Sequence, residues 1–136
     1  MWKRYDKDIG LLAIRLGIGA LFIAFGFPKI SAGPQLWEQV GGAMHNLGIT
    51  FYPVFWGFMA SLAEFGGGIL LILGFLFRPA LLLMMFTMIV AITLHVSKGD
   101  GFGVYANPLG YLIVFTGLFF SGPGKYSLKL RAEGQL

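Results

Sequence analysis

Long apolar runs alternate along this chain with short polar breaks. No charged residue lies between Pro79 and Ser97 or between Gly101 and Gly124, and only Glu64 interrupts the stretch from Gln39 to Phe77. A helix rising 1.5 Å per residue needs about 20 apolar residues to cross a hydrocarbon layer of about 30 Å. The runs fit that length and predict four membrane spans, at about residues 9–27, 52–77, 80–96 and 104–121. Pro28 is expected to end the first span, Pro53 suits a first helical turn, and Arg78 and Pro79 read as a tight connection. The predicted fold class is all-α, a single integral membrane four-helix bundle covering residues 1–136.

The connection after the first span is too long for a simple turn. From Pro34 onward, Leu36, Val40, Ala43, Met44 and Leu47 recur at helical spacing with Glu38, Gln39 and Asn46 between them. This predicts a short amphipathic helix in the first outer loop, acting as a cap on the bundle or a lid over a lipid-accessible site. Within the spans, small residues recur on single faces. Arg15, Gly19, Phe22, Gly26 and Lys29 share one face of the first span, and Gly57, Ser61, Glu64 and Gly68 one face of the second. The third offers Met84, Met88, Ala91 and His95, the fourth Asn107, Gly110, Val114 and Gly117. Lipid provides no hydrophobic drive between helices, so such stripes are expected to face inward and let backbones approach, with the first and second spans packing through their glycines.

Composition agrees with the pattern: 57% of residues are hydrophobic and 12% charged, against about 25% charged in soluble domains. The basic start is followed by an apolar run with no small-residue cleavage site, so the first span is read as a retained anchor. Seven basic residues, Lys3, Arg4, Lys7, Arg78, Lys125, Lys129 and Arg131, fall on one side of the four-span arrangement, with Lys29 and Lys98 opposite. The positive-inside rule then places both termini in the cytoplasm. Trp2, Tyr5 and Tyr126 suit the inner interfacial belt, and Trp37, Tyr52 and Tyr105 the outer one. The net charge of +4 is explained by basic flanks against anionic headgroups, which removes the case for nucleic acid. With no cysteine, the chain has no disulfide, iron–sulfur or thiolate zinc chemistry.

Candidate chemistry centres on ionisable residues inside the spans. Glu64 falls near the bilayer midplane, where a free carboxylate is costly, so it must be neutral, paired or hydrated. Counting rise along antiparallel neighbours gives His95 a similar depth and makes it the expected partner, with Arg15 next. Thr87 and Thr116 fall near the level of Arg15. Arg15 and Lys29 also have plain readings, as side chains reaching for headgroups or anchoring a helix end. Glu64, His95 and Arg15 are the candidate catalytic residues, and Lys29, Glu64 and His95 the candidate cofactor-binding set. Two histidines, one in a loop, give little support for bis-histidine haem, and no metal-ligand spacing, glycine-rich nucleotide loop or serine nucleophile constellation occurs.

Several motifs in order, from Arg15 to Leu128, resemble the DoxX family of small four-helix membrane proteins. They are Arg15 itself, Gly26-Phe27-Pro28-Lys29, Ala63-Glu64 before the glycine run, Leu73-Gly74 to Arg78, and Gly122-Pro123-Gly124-Lys125-Tyr126-Ser127-Leu128. The family commonly continues the last motif with Asp, where this chain has Lys129. The resemblance implies a bacterial or archaeal plasma-membrane protein linked with redox systems, with a quinone as cofactor and a redox protein as partner. It leaves open whether the chain is an enzyme. Joined to the residues, it suggests a membrane subunit holding a quinone-like lipid among Phe and Met side chains, with Glu64 and His95 exchanging protons. The competing reading is a non-enzymatic anchor or assembly scaffold; a small-solute transporter ranks third. A second copy of the chain is a further candidate partner.

Overall fold

The computed structural model describes residues 4–128. Trp2, Lys3, Lys129 and Arg131, used above to argue orientation, lie outside them. Among the described residues there are five α-helices and no strand: α1 (Arg4–Ala32), α2 (Pro34–Gly41), α3 (Pro53–Leu73), α4 (Phe77–Ser97) and α5 (Phe102–Ser121), with a 3₁₀ segment, Gly42–Leu47, following α2. Helices α1, α3, α4 and α5 are each long and apolar enough to cross a membrane.

Pro28 does not end the first span, because α1 runs on through it to Ala32. A proline removes one ladder bond, and here the last turn is held by other groups. Trp37 Nε1 donates to the Lys29 carbonyl at 2.8 Å and Ser31 Oγ to that of Phe27 at 2.8 Å. The second span is shorter than expected and the third longer. Gly74, in the left-handed conformation, closes α3 with its N–H on the Leu70 carbonyl, and the Phe75 N–H reaches the same oxygen. Arg78 and Pro79 therefore stand in the first turn of α4 rather than in the connection.

The glycine faces of α1 and α3 meet as their spacing predicts. A Cβ on Gly19 would fall 2.7 Å from the Gly68 carbonyl oxygen, and one on Gly68 would fall 2.6 Å from that of Gly19. Gly26 lies against the Phe65 backbone with equally little room. A second backbone crossing seats α2 on α3, with Gly41 against Pro53 and Gly57 against Trp37. Helix α4 meets α3 where Gly67 touches the Met84 side chain. The core, Phe22, Leu71, Phe77, Leu81, Met84, Met88, Phe115 and Leu118, fills the space between the spans.

Helix α5 departs from its predicted face. Asn107, Gly110 and Gly117 are exposed, and Pro108, Phe115 and Leu118 turn inward instead. Its link to α1 is aromatic: Phe22 packs edge-on against Tyr111 and Phe115, with centroids 4.9 and 5.2 Å away. Rings of that size hold two backbones apart, so small residues are not needed there.

The α3–α4 turn, the start of α1 and the tail after α5 share one end of the bundle, the turn end. There the Leu128 N–H donates to the Leu73 carbonyl, and Asp8 accepts from the Lys125 N–H. The segment 33–52 and the α4–α5 connection form the opposite, loop end.

Candidate functional site

Four intramembrane polar residues were expected to gather. The structure separates them into two places.

Arg15 is 1% exposed and belongs to the turn end. Its Nε donates to the Leu71 carbonyl at 2.9 Å, Nη2 to Ile72 at 2.7 Å, and Nη1 to Pro123 at 3.0 Å and Tyr126 at 2.6 Å. With Gly74 and Phe75 bound to Leu70, and Leu128 to Leu73, every one of the last four carbonyls of α3 has a donor. In lipid each such group left bare would cost several kcal/mol, so the guanidinium acts as a cap, and the negative end of the helix dipole favours its charge. Arg78 does the same for α5 through Phe119, at 2.9 Å. Arg15 thus neither reaches for headgroups nor pairs with Glu64. Thr87 and Thr116 do not solvate it either; their hydroxyls donate to Leu83 and Leu112 on their own helices.

Glu64 pairs with Lys29, not His95. Lys29 Nζ donates to both carboxylate oxygens, at 3.2 and 3.0 Å. The reason lies in the register: Gly26 abuts Phe65, so the next turn of an uninterrupted α1 carries Lys29 onto Glu64. His95 has its own partner, donating from Nδ1 to Asp100 Oδ2 at 2.9 Å, in a loop where the Asp100 N–H also bonds the His95 carbonyl. The expected equality of depth fails because α4 starts at Phe77. Met84 is level with Gly67, so Thr87 is level with Glu64, and His95 stands eight residues, or about 12 Å, closer to the loop end. Asp100 lies in what the sequence shows as a polar break, and only its position five residues after His95 hinted at this role.

Lys29, Glu64 and His95 nevertheless share one cavity of about 450 Å³. It opens between α3 and α4 on the loop-end side of the Gly67–Met84 contact, where the two helices part. Val40, Ala43 and Met44 of α2 and the 3₁₀ segment roof it; Met59, Ala60, Val90 and Ala91 form apolar walls. Three lining residues, Phe55, Leu83 and Phe86, are exposed on the outside of the bundle, so the mouth is apolar and faces where lipid would lie. Among the described residues, one buried side-chain polar atom lacks a partner, the indole N–H of Trp56, another residue of this wall. No group of acidic residues and histidines among the described residues could hold a metal ion.

A lipophilic molecule with a small polar end would find apolar walls and a few polar groups here. The volume falls in the usual range for small-molecule sites, about 300 to 1,000 Å³.

Comparison with known proteins supports the reading of the motifs. The DoxX family model matches residues 10–96. The chain is similar to the inner membrane protein YqjF of Escherichia coli (strain K12), 33% identical over 127 residues that cover 90% of this chain and 91% of that protein. No solved structure matches it. Four membrane-length helices, the run of motifs and a match that covers most of the chain lead to one conclusion: this is a multi-pass membrane protein belonging to the DoxX family.

Proposed function

We propose that this protein resides in a bacterial inner membrane, with both termini in the cytoplasm, and binds a quinone-like lipid in the α3–α4 cavity as part of a redox-linked system. The observation that carries this reading is the pairing of a lipid-facing apolar mouth with the Lys29–Glu64 ion pair on the cavity wall. An ion pair offers donors and acceptors with no net charge. That suits a neutral head bearing oxygens, whereas an ionised headgroup would have to displace one partner. Similarity to an inner membrane protein supports the location.

A bound quinone would supply two-electron redox chemistry. The chain's own residues bind and orient: Lys29 and Glu64 meet polar atoms of the head, and the walls exclude water. Glu64 holds or releases a proton at its carboxylate. Electrons would come from a partner protein.

The test is purification in mild detergent followed by organic extraction and mass spectrometry. We expect near-stoichiometric quinone in the wild type and its loss in Ala60→Trp, which fills the cavity. Wild-type protein with no quinone above the lipid background would refute the assignment, and co-purification of a partner without quinone would leave the scaffold reading.

A further inference from the structure

The polar groups of the cavity fall at two levels, and the one nearer the loop end has a chemistry of its own. Trp56 lies eleven residues toward the loop end from Gly67, and His95 lies eleven from Met84. Since Gly67 touches Met84, Trp56 and His95 stand about level across the cavity. A carboxylate only accepts hydrogen bonds, so Asp100 fixes the proton of His95 on Nδ1. In the neutral ring, Nε2 then carries a lone pair, and it has no hydrogen-bond partner among the described residues. Trp56 Nε1 is a donor packed just within the wall, buried and without a partner, whereas the His95 side chain is 29% exposed. One level of the wall therefore holds a fixed acceptor and an unmatched donor.

We propose that this level recognises a hydroxyl group, and that the cavity therefore selects the reduced, hydroquinone form of its ligand over the oxidised form. The proposal rests on the quinone-lipid reading above. A hydroxyl can donate to His95 Nε2 and accept from Trp56 once the indole turns toward it. A carbonyl can only accept, and it would set its lone pairs against that of Nε2. Sites built around a substrate hydroxyl reject analogues lacking it, because a buried polar group is left unmatched. Asp100 is the positioning residue, acting through His95. The same chemistry would serve any lipophilic phenol, so the probes must separate the two.

The experiment uses the full chain in detergent under anaerobic conditions, titrated with decylubiquinol, decylubiquinone, the bis-O-methyl ether of decylubiquinol, and 4-decylphenol. We expect the hydroquinone to bind about tenfold more tightly than the quinone or the ether. In Asp100→Asn and His95→Phe that ratio should fall below about threefold, because the hydroquinone loses its acceptor and the quinone loses the opposing lone pair. Binding of the phenol as tightly as the hydroquinone would support hydroxyl recognition while assigning the selectivity to phenols in general. With two histidines in the chain, ¹⁵N spectra can read the tautomer directly, with the exposed His45 as internal control. His95 should be Nδ1–H in the wild type, and its Nε2 resonance should move on adding hydroquinone. Equal affinity for all four compounds, with binding still blocked by Ala60→Trp, would overturn the selectivity and leave the cavity reading intact. A wild-type His95 protonated on Nε2 would also overturn it. No binding of any compound would overturn both.

Discussion

Lys29 and Glu64 form a pair whose members differ in burial, with side chains 37% and 10% exposed. Removing Lys29 leaves a carboxylate in a site of low polarity, so Lys29→Met should cost more than the double change Lys29→Met/Glu64→Leu, which removes both charges. A double-mutant cycle on unfolding in detergent should return a coupling of about 1–3 kcal/mol for Lys29 with Glu64, and under about 0.3 kcal/mol for Glu64 with His95. The sequence reached part of this. Glu64 stands out by depth alone, and Lys29 already shares the helical face of Gly26. What hid the pair was Pro28, which argued for a helix end at residue 27, five residues short of Ala32, since one of the hydrogen bonds that hold the last turn comes from Trp37, eight residues beyond Lys29. The same shift of boundaries at Gly74–Leu76 misplaced His95 by several ångströms. Arg15 was legible as unusual but not as a cap, because the carbonyls it serves belong to α3 and to the tail.

Between elements, the decisive contacts are backbone on backbone. Gly26→Leu would drive a side chain into the Phe65 backbone and should lower the melting temperature by several degrees, or prevent folding. Gly17→Leu, on the same helix but in open space, should be nearly neutral. Ile23, although on the same helix, has its side chain and N–H against Gly68, so a change there should also be felt. Gly57→Ala should loosen α2 from α3 specifically, detected as faster protease cleavage within residues 34–50 while the spans persist. The α1–α3 contact was readable because Gly19 and Gly26, seven residues apart, share one helical face, as do Gly57 and Gly68, eleven apart. The α5 face was not, because aromatic side chains fill a wide gap and leave the glycines of that helix outside.

For the whole molecule, the two ends of the bundle differ in kind. At the turn end every terminal carbonyl of α3 is matched, while at the loop end α3 and α4 part around a cavity. Four spans and the crowding of Lys and Arg at one side were legible from composition; the cavity was not, because it depends on where two helices cease to touch. The tail capping of Arg15 has a consequence for how the chain is made. Two of the oxygens that Arg15 binds belong to residues 108 and 111 positions later. At roughly 5–20 residues per second, the ribosome delivers them about 5–20 s after Arg15 has been synthesised. During the later part of that interval Arg15 has only the Leu71 and Ile72 carbonyls of α3 as acceptors, and its set of partners is completed when the tail arrives. Chains stopped after Gly122 should therefore be degraded quickly in cells, as pulse-chase labelling would show. Arg15→Met, harmful in the full chain, should prolong the life of the truncated one; a shorter half-life for that double variant would mean that the tail stabilises the bundle by some route other than Arg15.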